Sequence, residues 1–340
     1  MDTAQWRRSE AKPARVGHQE RRSFDRPAFW TRRTPRLGRL VLVALAMGGV
    51  AFTLLILAVG WQAGYFGGPN DYTVTFDHVG DVLRAGGNPY VGLAAVHTLY
   101  YAPPWAVAFA LVAWLPVPVA SALLLAAELA ALRYIAGSWL AVGLVGWCPL
   151  LAYELPLGNI NLIVGACIFA AVRGQGWAGI VGGLAKLSPV LAIRHPRSAA
   201  IALGVALLVT LPWLWLWPEW IRVLGSALLA GGTGGPQVPV PLAVRVVLAI
   251  GLLALRRPWA TALACVIAIP GFYYQTLLLL VVPLVVWIRE DEKRPRPKPL
   301  ALDRGEDAGR TWAARQGPPR ASAASVPARR AAEPRTLDGR

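Results

Sequence analysis

The sequence predicts an all-helical membrane protein with many transmembrane segments. Of its 340 residues, 56% are hydrophobic and only 15% are charged, which is more apolar than an ordinary soluble domain. The run from Leu40 to Trp61 is long enough to cross the roughly 30 Å hydrocarbon core of a bilayer. Most charged residues lie near the two termini. These observations predict a polytopic bundle of about 8–10 transmembrane helices.

The two ends of the chain are strongly basic. Residues 1–39 contain eleven Lys or Arg against four Asp or Glu, and residues 289–340 contain thirteen against eight. Basic flanks beside the first and last spans are typical of cytoplasmic ends, and they also attract anionic lipid headgroups. Because these flanks have little apolar surface to bury, we expect disordered cytoplasmic tails at 1–38 and 289–340 and no nucleic-acid partner.

The membrane domain, 39–288, divides into apolar segments and two polar loops. We expect the loops, 64–102 and 219–237, to lie on the outer side. Several apolar segments are shorter than the roughly 20 residues that a full span needs, which indicates half-helices that line a cavity. The segments run at about 40–62, 103–135, 138–153, 158–172, 176–193, 198–218, 238–255, 258–270 and 273–288.

Two topologies fit these segments, and they differ at Pro116–Pro118. If this region is a cytoplasmic turn, ten spans result, and Arg133 and Arg173 face outside while Arg194, Arg197, Arg256 and Arg257 face inside. If instead 103–133 crosses once as a kinked unit and 176–193 dips into the membrane and returns, all of them face the cytoplasm. The second topology fits the positive-inside rule better.

The membrane domain contains few acidic residues, and half of them lie in the first outer loop. Charges near bilayer depth are costly and usually have a functional reason, so these acids are the first candidates for chemistry. Those between residues 40 and 288 are Asp71, Asp77, Asp81, Glu128, Glu154 and Glu219.

The first outer loop is predicted to contain a short amphipathic helix on the outer surface. Phe76, Val79 and Leu83 belong to a helical apolar stripe, and a Gly-Gly-Asn-Pro-Tyr turn follows. Asp71 would begin this helix, near the positive end of its dipole, where a carboxylate stays ionised. This placement can aim the Asp71 carboxylate at a cavity. Asp77, six positions later, points well away from Asp71 on a helix.

Two basic residues stand inside apolar segments, Lys186 and Arg245. Each either extends to the membrane interface or binds a phosphate. His78 and His97 share the first outer loop and are further candidates for phosphate binding. No metal-ligand spacing occurs among the histidines and cysteines, so we expect neither a metal nor another cofactor.

Four motifs, in order, resemble those of the polytopic GT-C glycosyltransferases, within them glycosyltransferase family 87, the polyprenol-phosphate-mannose-dependent mannosyltransferases. An acid, Asp71, follows the first span, and Gly-Gly-Asn-Pro-Tyr ends at Tyr90. The Tyr-Ala-Pro-Pro sequence begins at Tyr101, Gly-Asn-Ile-Asn covers 158–161, and Ala-Gly through Lys-Leu-Ser-Pro covers 178–189. The resemblance extends over roughly 60–195. Asn159 stands where that family usually has Gln.

The resemblance implies an inverting sugar transfer at the outer face of the plasma membrane. The donor is a polyprenyl-phosphate sugar, expected to be mannose, and the acceptor is a glycolipid or glycan of the cell envelope. A carboxylate takes the acceptor proton as general base, and cations stabilise the departing phosphate. We expect Asp71 to be this base, with Asp77 in reserve. The expected substrate pocket comprises Asn88, Tyr90, Tyr101, Glu154, Asn159 and Asn161.

Two other classes remain open. The tyrosines and prolines at 100–105 are equally typical of interfacial anchors, and Asn159 and Asn161 could bond across helices. A transporter or flippase could use Lys186, Arg245 and short broken helices to pass an anionic lipid. A degenerate assembly partner in envelope synthesis is the third class.

Overall fold

The computed structural model describes residues 36–63, 71–91, 99–229 and 238–291, and throughout these ranges the chain is helical without a β-sheet. The described ranges contain thirteen α-helices, joined in places by short 3₁₀ or π segments. They are α1 (Arg36–Gln62), α2 (His78–Arg84), α3 (Pro103–Val112), α4 (Val117–Ala136), α5 (Trp139–Val145), α6 (Pro149–Leu157), α7 (Asn161–Val172), α8 (Gly176–Lys186), α9 (Pro196–Val209), α10 (Leu216–Leu229), α11 (Leu242–Ala254), α12 (Pro258–Ile267) and α13 (Val281–Asp291).

Two helices, α1 and α4, are long and apolar enough to cross a membrane, and α5 with α6 makes a third candidate if that pair, bent by 100°, counts as one span. Helices α3, α7, α9, α11 and α12 are apolar but have only 10–17 residues. An all-α protein with candidate membrane spans is therefore confirmed, and the count of eight to ten spans stays a prediction. The tails fall almost wholly outside the described residues.

Helix α1 exposes a continuous apolar surface and packs through small residues on its other side. Leu37 and Leu54 are 74% and 60% exposed. On the packed side, Thr53 Oγ1 donates to the carbonyl oxygen of Gly146 at 2.7 Å, and a β-carbon added to Gly146 would lie 2.6 Å from the Gly49 oxygen. Close approach through glycine is typical of helix pairs in lipid, where exposed leucine costs nothing.

The segment 103–135 is divided in two. Helix α3 ends at Val112, and α4 begins at Val117, preceded by Pro116 with φ −55° and ψ 135°. Because proline lacks the amide hydrogen and fixes φ, it starts a helix more readily than it continues one. The region around Pro116, for which the sequence allowed either a turn or a kink, is thus a break between two helices.

The predicted helix of the first outer loop is present, and its apolar face contacts protein. A π-helical stretch, Tyr72–Asp77, follows Asp71 and continues into α2. Phe76 is buried and stacks on Phe109 of α3 with ring centroids 4.2 Å apart. The predicted stripe therefore forms part of the main hydrophobic core, and it does not spread over the outer surface as expected.

Three short helices, α7, α8 and α12, are arms of helical hairpins. With 12, 11 and 10 residues they extend about 15–18 Å at 1.5 Å per residue, which is about half of the hydrocarbon thickness. Helix α6 turns into α7 at 158–160. Helices α8 and α12 return through 3₁₀ segments, Ser188–Ala192 and Tyr274–Leu280. The turns of these hairpins are called the tips below.

Glycines allow the second hairpin to close. A β-carbon added to Gly182 would lie 2.8 Å from Cys167 Cβ and 3.1 Å from Pro189 Cβ, and one added to Gly179 would lie 2.5 Å from Ile193 Cγ1. At the turn, Leu187 adopts a φ of 56°, a conformation that strains a residue with a side chain. Residues 176–193 therefore go out and back, as the second topology predicted.

Arginines gather where α4, α7 and α13 end, a region called the basic end below. Arg289 Nη2 donates to the Ile135 oxygen at 3.1 Å. Arg289 and Arg173 both lie over the ring of Phe169, at 5.0 and 5.3 Å from its centroid. Arg257 pairs with Glu290, next to Arg289, at 3.2 Å.

The loop between the second hairpin and α9 also reaches the basic end. A β-carbon added to Gly174 would lie 3.1 Å from His195 Nε2. Arg173 and Arg194 are the neighbours of these two residues in the sequence, so they share one end of the bundle. This agrees with the second topology, since the first separated Arg173 from Arg194 by the membrane.

Candidate functional site

Asp71 is held by the tip of the first hairpin. Its side chain is partly exposed, and Asn159 Nδ2 donates to Asp71 Oδ2 at 2.6 Å. Asn159 follows Gly158, which ends α6 with a φ of 63°, a conformation that favours glycine. The other amide atom, Asn159 Oδ1, accepts from the Ile160 amide at 2.8 Å. The Asn159 side chain is thereby fixed at both ends.

Lys186 brings a positive charge to the same place from the tip of the second hairpin. It is the last residue of α8, and its side chain is partly exposed. Its ammonium attracts the carboxylates of Glu154, Asp71 and Glu128. Glu154 and Glu128 are 1% and 3% exposed and form the buried part of this cluster, whereas Asp71 and Lys186 are partly exposed residues.

The buried part of this cluster contains polar atoms without hydrogen bonds. Asn161 lies beside Glu154 and interacts with its carboxylate, yet neither side chain reaches hydrogen-bond geometry with any described residue. Glu128 Oε1 accepts a long bond, 3.4 Å, from the Ile163 amide. Buried polar groups nearly always find a partner, and intramembrane acids usually have a role, so these groups indicate a site. Asp71, Glu128, Glu154, Asn159, Asn161 and Lys186 are called the tip cluster below.

Tyr101 joins the first outer loop to α8. Its side chain is buried and feels the charges of Asp71 and Glu154. The Tyr90 hydroxyl donates to the Tyr101 oxygen at 2.9 Å, and the Ala102 amide donates to the Leu184 oxygen at 2.8 Å. These bonds hold the end of the outer loop against Leu184, which lies two residues before Lys186.

Asn88 and Tyr90 shape a turn beside the cluster. Asn88 Oδ1 accepts from the Tyr90 amide at 2.9 Å, and its amide also bonds Glu219 of α10. The Arg222 guanidinium, followed by Asn88, holds the pKa of Glu219 below its usual range. Burial raises the pKa of Tyr90. Asn88 therefore connects this turn to Glu219 of α10, and Tyr90 connects it to Tyr101.

Asp77, the reserve base, faces a different neighbourhood from Asp71. Partial burial and the Asp81 carboxylate raise the pKa of Asp77, and Arg84 and His78 oppose this shift. Asp81 itself pairs with Arg84. His78 is exposed on the same helix, and His97 lies outside the described residues. The structure thus brings neither Asp77 nor His78 to Lys186.

Arg245 is engaged away from the tip cluster. It is 5% exposed, and its guanidinium donates to four backbone oxygens, those of Val240, Ile267, Ile269 and Pro270. It also lies over the Phe272 ring, 5.1 Å from the centroid. Because its guanidinium donors already bind backbone oxygens around the end of α12, few remain for a phosphate. We therefore do not place Arg245 in the site.

Two residues near the site were not predicted for it. Glu128 of α4 reaches the cluster from a membrane-spanning helix, and its only signal in the sequence is its rarity there. Tyr273, at the tip of the third hairpin, interacts with Asp71 and Tyr100. The sequence around Tyr273 does not indicate this contact, because a tyrosine after a proline and a glycine in an apolar segment is typical of a membrane interface.

Comparisons of the chain with protein-family models, with curated proteins and with solved structures gave no match. Across the described residues, no group of three or more His, Cys, Asp or Glu side chains is arranged to hold a metal ion. The functional argument therefore depends on the geometry of the tip cluster and on the motifs in the sequence.

Proposed function

We propose that the protein is a membrane glycosyltransferase that moves a sugar from a polyprenyl-phosphate donor to a glycolipid or glycan acceptor of the cell envelope. The observation that supports this most is that the carboxylate of Asp71, a partly exposed residue, lies within electrostatic range of Lys186, another partly exposed residue. Inverting transfer from a lipid phosphate needs one group of each charge. The resemblance to glycosyltransferase family 87 suggests mannose.

Each charged group has a distinct part in the proposed reaction. Asp71 takes the proton of an acceptor hydroxyl while that oxygen attacks the anomeric carbon from the face opposite the phosphate. The bond from the anomeric carbon to the phosphate oxygen breaks, and its electrons leave with the polyprenyl phosphate. Lys186 stabilises the charge that develops on that phosphate, and Glu154 keeps the ammonium in place.

The proposed orientation puts the basic end in the cytoplasm and the tip cluster toward the outer side. Arg133, Arg173, Arg257 and Arg289 all lie at or near the basic end, which suits the positive-inside rule. In this orientation the half-length arms would carry Lys186 to the outer half of a GT-C-like bundle, where a lipid phosphate donor and an envelope acceptor can meet. Labelling of single cysteines at 134 and 81 by an impermeant thiol reagent tests this orientation.

The central experiment measures release of free polyprenyl phosphate. Purified protein in lipid vesicles receives polyprenyl-phosphate mannose and an envelope glycolipid fraction. We expect the wild type to release polyprenyl phosphate and Asp71→Asn to lose about 100-fold or more of this rate, because a general base typically contributes 10²–10⁴. Asp81→Asn, on the same helix and exposed, is the matched control. Wild-type turnover in Asp71→Asn would remove the assignment.

A lipid transporter is the second candidate, favoured by the half-length hairpins that meet at a buried charged cluster. The same vesicles discriminate the two classes. If the donor moves between leaflets, and no polyprenyl phosphate is released with any envelope acceptor, the transporter is correct and the transferase is wrong.

A further inference from the structure

We infer that Asn159 is a positioning residue that orients the Asp71 side chain and favours its ionised carboxylate, and that Asn159 does not contact the sugar. This rests on the proposed function insofar as Asp71 is the base, but the contact itself is independent of the reaction. The sequence placed Asn159 in the substrate pocket. The structure gives it a different use, because the side chain is 7% exposed and lies behind the carboxylate that it bonds.

The amide of Asn159 can take only one orientation. Its Oδ1 accepts from the Ile160 amide at 2.8 Å, so Nδ2 must face Asp71 Oδ2 at 2.6 Å. Rotating the amide by 180° would oppose a nitrogen to the Ile160 N–H and an oxygen to the carboxylate, and both contacts would be repulsive. Backbone geometry at the Gly158 turn therefore dictates which amide hydrogen reaches the carboxylate.

This bond has two consequences for Asp71. It holds Asp71 Oδ2 and thereby fixes the orientation of the carboxylate. It also favours the ionised form, because a donated hydrogen bond stabilises the charged carboxylate more than the neutral acid. A base must be ionised to accept a proton, so Asn159 extends the activity of Asp71 to lower pH.

Other groups around Asp71 act on the same equilibrium and set the background for the test. Lys186 of α8 favours the charged form, whereas Glu154 of α6 disfavours it. Tyr101 and Tyr273 face Asp71 from two further segments. Asn159 donates a direct neutral hydrogen bond to Asp71, so changing Asn159 alters that bond without removing a charge.

The test is a titration of Asp71 that is monitored by infrared difference spectroscopy. Subtracting the spectrum of Asp71→Asn isolates the carboxyl band of Asp71. In Asn159→Ala we expect the midpoint to rise by about one pH unit. In Asn159→Asp, which keeps the acceptor for the Ile160 amide and adds a second carboxylate, we expect a larger rise. Asp81→Asn is the control and should leave the Asp71 band unchanged.

Turnover gives the second readout. For Asn159→Ala we expect kcat to fall about tenfold at neutral pH, with the acid limb of its pH profile displaced upward and the KM for the acceptor changed less than about twofold. Adding Asn159→Ala to Asp71→Asn should cost nothing further, since both act through one carboxylate.

Each result decides the inference. An unchanged Asp71 midpoint in both Asn159 variants overturns it, whether or not the protein is a transferase. A raised acceptor KM with an unmoved pH profile also overturns it and returns Asn159 to the substrate pocket. If the wild type releases no polyprenyl phosphate, the proposed function fails, while the infrared titration still judges the Asn159 contact. If Asn159→Ala does not fold, Asn159→Asp supplies the midpoint.

Discussion

Lys186 and Arg245 are the two basic residues inside apolar segments, and the tertiary structure treats them in opposite ways. Lys186 ends a half-length helix, stays partly exposed, and is surrounded by the carboxylates of Glu154, Asp71 and Glu128. Arg245 is buried, and its guanidinium donates to four backbone oxygens around the end of α12.

The partners of a basic side chain in a membrane domain indicate whether it stabilises the fold or is available to a ligand. A cation whose donors are satisfied by backbone oxygens contributes to folding and has little left for a substrate. A cation balanced by side-chain carboxylates at an accessible place can exchange one anion for another. The chemistry of the side chains agrees, since the arginine fork suits several fixed acceptors and the lysine ammonium acts as a point charge.

Arg245→Lys tests the structural role of Arg245 and should have the largest effect on stability. A lysine keeps the charge but cannot reach four oxygens, so buried carbonyls lose their partners and we expect a loss of about 3 kcal/mol or more in unfolding free energy. Thermal unfolding in detergent measures it. Arg222→Lys, at an exposed ion pair with Glu219, is the control and should change stability by less than about 1 kcal/mol. Equal unfolding temperatures for the two variants would refute a structural role for Arg245.

Lys186→Met should affect the reaction more than the fold. Methionine keeps the length of the side chain without its charge, so we expect release of polyprenyl phosphate to fall about 100-fold while the unfolding temperature drops less than in Arg245→Lys. Arg84→Met, at the exposed end of α2, is the matched control. A variant that loses stability in step with activity would make Lys186 a second structural cation.

Gly182→Ala tests whether the hairpin geometry places Lys186. The new β-carbon would lie 2.8 Å from Cys167 Cβ of α7 and 3.1 Å from Pro189 Cβ of the returning arm, so α8 must move away from both, at a cost of about 1–3 kcal/mol. We expect lower thermal stability and a several-fold loss of turnover. In Gly204→Ala, on α9, the added carbon meets open space, and helix propensity predicts a gain of up to about 1 kcal/mol. If both variants behave alike, the close packing of the hairpin is unimportant.

Asp77→Asn should have the smallest effect and sharpens the contrast between the acids of the outer loop. Partial burial and Asp81 raise the pKa of Asp77 in the folded protein, so ionising it opposes folding. The stability associated with its neutral form is present at acid pH and is lost as the pH rises through the folded pKa. At neutral pH, asparagine should therefore leave stability unchanged or slightly higher, with normal turnover. A large loss of turnover would restore Asp77 as a candidate base.

The motifs predicted which residues lie close together better than they predicted the contact that each residue makes. The helix beginning at Asp71 and the returning hairpin 176–193 are both present, because turn residues and glycines encode local geometry. Asn159 and Lys186, separated by 27 positions, lie around Asp71 as the order of the motifs suggested. The assignment of Asn159 to a sugar was a matter of side-chain type, and type alone does not reveal which neighbour takes the amide hydrogen.

The sequence by itself determined an all-helical, apolar protein, its basic flanks, and the short set of acids and cations in which chemistry could reside. Those features follow from composition and local pattern, which require no knowledge of distant contacts. The packing of distant segments is what brings Glu128 into the tip cluster, puts Tyr273 beside Asp71 and engages the Arg245 guanidinium with backbone oxygens near the end of α12. A charge in an apolar segment must be compensated, and the group that compensates it can come from any segment that packs beside it.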